Sequence, residues 1–171
     1  MPTVTDRSKS AVYSAEDQFA ELLNRGGNVD FFGSALVVPT QRRFGELATV
    51  TQYVQAVMSE ITPQFPGVST PQVRERRGAR RAHYEYDTTT IALPTVDQWA
   101  LRESVILHEC AHHLTWWAHG AGVAAHGGEF TGYMLYLVRT MLGPPAELLL
   151  RAGYQAAGVP ISVVELGPHE N

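Results

Sequence analysis

Residues 99–117 read WALRESVILHECAHHLTWW, a run with neither glycine nor proline. The unbroken run predicts one helix over 99–117, and the rest of the chain is read from it. Inside it stands His108-Glu109-Cys110-Ala111-His112, the pattern H-E-x-x-H. Helical residues four apart share a face, with Cβ atoms about 6 Å apart. Two imidazoles at that spacing can both reach one metal ion at roughly 2.0–2.1 Å. Glu109 lies near the same face and can hold a water at the metal without being a ligand. Two histidines and an adjacent base form the arrangement of zinc hydrolases. The core side of the helix is expected to be Leu101, Val105 or Ile106, Cys110, Leu114 and Trp117. Cys110 points away from the ligand face and reads as a small buried hydrophobe rather than a ligating thiol. His113 also points off that face, as a surface or supporting histidine. Thr95 or Asp97 is placed to cap the helix.

Downstream, residues 118–128 are rich in Gly and Ala and form a loop. A helix is expected over 129–142, broken by Gly143-Pro144-Pro145, and another over 145–157, stopped by Gly158 with Pro160 beyond. Residues 161–166 form either a last short strand or a covering tail. A hydrolytic zinc site takes a third protein ligand and keeps one position open. His119 follows the helix too closely, and Thr115 and Ala118 depart from the extended H-E-x-x-H-x-x-G-x-x-H motif. Glu129 offers an acidic ligand from a second helix. His126 is the best candidate: it opens His126-Gly127-Gly128-Glu129-Phe130, where the glycines let the backbone turn tightly beneath the metal and Phe130 anchors the next helix.

Upstream, residues 1–10 read as a flexible tail. Ser14-Ala15-Glu16-Asp17 has the shape of a capping box. It opens a helix with Phe19, Leu22 and Leu23 on its apolar stripe, ended by Gly26-Gly27. Residues 35–38 form a strand stopped by Pro39. A helix over 45–61 carries Leu47, Val50, Val54, Val57, Met58 and Ile61 at helical spacing, and residues 62–71 form a loop. Residues 73–77 and 80–87 flank Gly78-Ala79 as a hairpin, and 88–93 continue extended to Pro94. Ile91-Ala92-Leu93-Pro94 reads equally as a core strand or as an edge strand that receives an extended peptide through its main chain.

A chain of 171 residues suits one domain, here 11–171. With 44% hydrophobic and 18% charged residues it can build a core. The expected fold is α+β, a small mixed sheet packed on about four helices. The net charge of −4 gives no global pull toward nucleic acid. One cysteine excludes an intramolecular disulfide framework and a four-cysteine zinc ribbon. No apolar run reaches transmembrane length, and residues 1–10 lack the apolar core of a signal peptide, so a cytoplasmic setting is expected. Arg74, Arg76, Arg77, Arg80 and Arg81 cluster on the β-rich block. They are read as a solvated edge that discourages aggregation, in preference to a nucleic-acid contact, because no aromatic interleaving accompanies them.

The two motifs His108-Glu109-x-x-His112 and His126-Gly127-x-x-Phe130 together resemble the SprT-like zinc metalloproteases, whose pattern is H-E-x-x-H, a variable loop and H-G-x-x-F. That resemblance covers residues 90–142. A wider one, to uncharacterised SprT-related metallohydrolases, rests on Val12-Tyr13-Ser14-Ala15-Glu16, Ala82-His83-Tyr84 and Trp99-Ala100-Leu101-Arg102-Glu103. The resemblance implies a zincin-like domain with His108, His112 and His126 as zinc ligands and Glu109 as catalytic base, acting on a peptide or protein. The chain departs from many SprT proteins in lacking the zinc-ribbon cysteines and any clear DNA-binding region. An oxyanion-stabilising group is also expected, with Tyr133, Tyr136, His119 and Tyr84 as candidates. The rival expectation is a non-catalytic, zinc-stabilised module that binds a protein or DNA.

Overall fold

In this computed structural model, which describes residues 1–96 and 98–166, helix α1 spans Lys9–Arg25. It begins a turn and a half before the expected capping box. Val12, Ala15, Phe19 and Leu23 all lie buried on one face, so the apolar period extends upstream of Ser14. Lengthening a helix costs less than nucleating one, and Ser14 ends up exposed in mid-helix. Gly26 ends α1 at a φ of 61°, as its position suggested. The segment expected to be a loose tail is shortened by this helix and carries contacts of its own. Thr3 hydrogen-bonds the Ala121 carbonyl through its amide and its hydroxyl, and Asp6 reaches His126.

Strands β1 (Gly27–Phe31) and β2 (Ser34–Val38) form an antiparallel hairpin. Its turn is Phe32-Gly33, both at positive φ, with the Asp30 carboxylate accepting from the Gly33 amide. Helix α2 is Leu47–Ile61, and its predicted stripe is buried from Val50 to Ile61.

The second sheet overturns the expected pairing. Strands β3 (Gln72–Glu75) and β4 (His83–Glu85) do not pair with each other. Both flank β5 (Thr90–Leu93), β3 in parallel and β4 antiparallel. The reason is burial: every residue of β5 is buried, whereas β3 is mostly exposed. The most apolar strand takes the centre and the charged ones its edges. Thr90, Ile91 and Ala92 are paired on both sides, so their main chain is not free to receive a peptide, which corrects the edge-strand reading.

Helix α3, Glu103–His119, starts four residues later than predicted. Thr95 does not cap it, since its hydroxyl goes to Glu75, and Asp97 lies outside the described residues. The segment after β2 fixes the helix start instead. Glu103, 1% exposed, accepts from the Arg42 amide and guanidinium at 2.8 Å each and from the Tyr53 hydroxyl at 2.6 Å. Gln41 accepts from the Ser104 amide and donates to Ala20 and Asn24 on α1. The predicted core side holds for Leu101, Ile106, Cys110 and Leu114, but Trp117 is 42% exposed.

A short 3-10 turn, Gly120–Gly122, leads toward α4 (Gly128–Leu142), followed by α5 (Pro144–Ala156). Residues 161–166 form no strand. They cover α4: the Ser162 amide donates to the Gly128 carbonyl, and Thr131 donates to Pro160. One apolar core joins all five helices to the three-stranded sheet. Among the described residues the fold is α+β as expected, with five helices for about four and two small sheets for one. Among the described residues no helix is long and apolar enough to cross a membrane.

Candidate metal centre and its cleft

Helix α3 presents His108 and His112 one turn apart, and the entry to α4 brings His126 to them. All three are buried, and Nε2 of His108 lies 3.1 Å from Nε2 of His112 and 3.4 Å from Nε2 of His126. Their ligand atoms all fall within 4.8 Å of one another, close enough for one metal ion. Among the described residues no other group of potential ligands converges in this way. Neither His119 nor Glu129 joins the cluster, and His119 lies instead 3.5 Å from the Tyr133 hydroxyl.

The surroundings of the three rings decide what the gap between them accepts. Nδ1 of His108 is 2.6 Å from Glu16 Oε2, and Nδ1 of His126 is 2.7 Å from Asp6 Oδ2. Each carboxylate accepts a hydrogen bond from Nδ1–H, the tautomer that leaves the Nε2 lone pair pointing into the cluster. Three nitrogen lone pairs this close repel unless a cation or a shared proton stands between them, so the residues fit a metal ion. Burial alone pulls His108 down, but Glu16 and then Glu109 outweigh it and raise its pKa. His112 is held well below the usual range by burial and by His108 and His126, and His126 is lowered by burial and His108.

Aromatic rings close the cluster. Phe130, fully buried, has its ring centroid 4.8, 4.6 and 5.0 Å from those of His108, His112 and His126. Tyr13 stacks on His108 at 5.3 Å and lies 5.2 Å from His126. The paired glycines have a different use from the one expected. Gly127 and Gly128 need no positive φ; a Cβ on Gly128 would meet Ser162 Oγ at 2.5 Å. Gly128 admits the covering tail rather than a tight turn under the metal.

Glu109 is 4% exposed, and its Oε2 has no hydrogen-bond partner. Burial, only partly offset by His108, pushes it up to about 7. An orphaned, shifted carboxylate in a cleft is the pattern of a group that acts on a bound molecule. A cleft of about 310 Å³ runs beside it, bordered by His108, Tyr13, Trp99, Val105, Arg80 and Arg81 among others.

The proposed oxyanion groups are placed elsewhere. Tyr84 hydrogen-bonds His113 at 2.8 Å, Tyr133 faces His119, and Tyr136 packs on Phe65. His113 is not on the surface: it is buried between Tyr84 and the Ser69 carbonyl. Sequence reasoning missed Tyr13, Glu16, Asp6 and Tyr86, whose hydroxyl is 3.4 Å from His112 Nδ1. Tyr13 and Glu16 share a helical face at i, i+3, a signal that marks them as neighbours but not as partners of residues ninety positions on. Cys110 is fully buried, with burial pushing its thiol up, and takes no part. No family model, curated protein or solved structure matches the chain.

Proposed function

We propose that this protein is a zinc-dependent hydrolase acting on peptide bonds. The observation that carries the reading is Glu109, buried and unpartnered, beside three converging histidines and on a cleft wall. A donor set of three imidazoles, one of which borders a cleft, suits zinc. Zinc bound there supplies a Lewis acid that polarises the scissile carbonyl and acidifies water.

The chain's own groups then divide the work. Glu109 takes a proton from the attacking water as its oxygen bonds to the carbonyl carbon. It returns that proton to the amine as the C–N bond breaks. Burial of its carboxyl favours the protonated form and so helps it hold the proton between the two steps. Tyr13, pushed up to about 12 by burial and then by Glu109, keeps its proton and can donate to the developing oxyanion. Glu16 and Asp6 hold the His108 and His126 rings in one tautomer. Phe130 and Tyr13 keep bulk water off the cluster.

A purely structural zinc site has no use for an unpaired buried carboxylate, which carries a desolvation cost of several kcal/mol if ionised. The same observation disfavours the binding-module alternative. The arginines give little support to nucleic-acid binding: Arg74 pairs with Glu85, Arg77 with Glu75, and Arg76 donates to the Arg81 carbonyl.

Glu109→Gln tests the reading. The variant should retain zinc and lose cleavage of a quenched-fluorescent peptide library by at least about a hundredfold. Wild-type turnover in the variant would sink the mechanism.

A further inference from the structure

The cleft beside Glu109 has walls and a rim of different chemistry. Its walls include Phe19, Met134, Val105 and the ring of Trp99. Its volume of about 310 Å³ is small for a ligand pocket, since such sites span about 300–1,000 Å³. That is room for one bulky side chain rather than a folded partner. Two guanidinium groups, Arg80 and Arg81, also border it, both exposed. Arg74 and Arg77 on the same block are in ion pairs, but among the described residues no carboxylate pairs with Arg80 or Arg81. Three carboxylates line the same cleft; Glu16 and Glu109 are buried and Asp17 is exposed, so the exposed rim carries the two guanidinium groups against the one carboxylate of Asp17.

Arg81 is tied to the reaction centre by geometry. Its guanidinium lies over the Tyr13 ring, 5.3 Å from the centroid, and Tyr13 stacks on His108. The cation therefore stands one aromatic ring away from a ligand histidine. An extended peptide advances about 3.5 Å per residue, so Arg81 is within reach of a carboxylate one or two residues from the scissile bond.

We propose that this cleft is a specificity subsite for a bulky apolar or aromatic residue flanking the scissile bond, followed by a carboxylate held by Arg80 and Arg81. The inference rests on the peptidase reading and narrows it to a substrate class. The carboxylate has two sources, a chain terminus or an acidic side chain, and both present the same group to the arginines. Exposed cations contribute mostly through screened attraction, so the preference weakens as salt rises.

The test is calorimetric binding to zinc-loaded Glu109→Gln protein, which cannot turn substrate over, alongside cleavage by the wild type. Four hexapeptides share a Phe and differ next to it. One has an internal Glu with an amidated end, and one has Lys with an amidated end. The other two end at the Phe, as a free acid or an amide. The Glu peptide and the free acid should each bind at least about ten times more tightly than their neutral or basic counterparts. Preference for one carboxylate form alone would identify the source within the same proposal. In R80A/R81A on the same background, with zinc content unchanged, the advantage should vanish. No preference, or one untouched by R80A/R81A, overturns the subsite. If binding shows the preference but the wild type cleaves nothing, the peptidase reading fails and the cleft stands only as a binding site for an apolar residue beside a carboxylate. Cleavage with no carboxylate preference does the reverse.

Discussion

Glu16 on α1 holds Nδ1 of His108 on α3 at 2.6 Å, across 92 positions of sequence. The same carboxylate accepts from the Tyr154 hydroxyl of α5 at 2.5 Å. One side chain therefore ties three helices together and fixes the tautomer of a candidate metal ligand.

Glu16→Gln should keep the fold, because an amide oxygen still accepts from Tyr154. It removes the charge behind His108, so zinc affinity should fall about ten- to a hundredfold. Competition with a chromophoric chelator measures this, and an unchanged affinity would remove Glu16 from the site. Glu16→Ala leaves the Tyr154 hydroxyl buried without a partner and should cost a further 1–3 kcal/mol or so of stability, read from urea denaturation.

Tyr13→Phe keeps the ring that covers His108 and His126 and deletes only the hydroxyl. If that hydroxyl donates to the oxyanion, kcat falls roughly a hundredfold while zinc content and KM hold. Steady-state kinetics on one peptide separates the two parameters. A rise in KM with kcat intact would make Tyr13 a binding wall only.

The metal-free protein should lose stability as pH rises through the Glu109 titration. Burial raises this carboxyl from 4.5 to about 7. Between those values the unfolded chain has released its proton and the native chain retains it. The native state binds more protons there, so stability declines with rising pH. Glu109→Gln removes the effect, worth on the order of 3 kcal/mol across the whole window. Melting in excess chelator should show the variant's advantage growing from pH 5 to pH 7.5. A gap that stays constant would mean Glu109 is not held in a desolvated place.

Gly132→Ala separates two opposed effects. Helix propensity favours alanine by about 1 kcal/mol. The added Cβ, however, would stand 2.4 Å from the Ser162 carbonyl oxygen. Backbone cannot swing aside as a side chain can, so the variant should be destabilised by roughly 1–3 kcal/mol. A raised melting temperature would show that residues 161–164 do not pack on α4.

The parts of the site that were legible in the sequence are those written in local spacing. His108, Glu109 and His112 sit on one helix, and His126 opens a motif of its own. Helix existence was legible for the same reason, since the stripe of α2 repeats every turn. What escaped was set by distant partners. Glu103 and Gln41 determine where α3 starts through bonds to residues about sixty positions away, so local capping chemistry at Thr95 misled. The sheet order depended on comparing the burial of three short strands, which turn chemistry at Gly78 could not do. Asp6 and Glu16 carry no local mark of their role, because each meets its histidine ring only when the N-terminal segment packs on α3 and the entry to α4.

The most direct test is zinc per chain in wild type and in His126→Ala, each purified without a histidine tag, given zinc and dialysed. About one equivalent in the folded wild type and a large loss in the variant are expected of three converging imidazoles. A folded wild type that keeps no metal would contradict the metal centre and the hydrolase built on it.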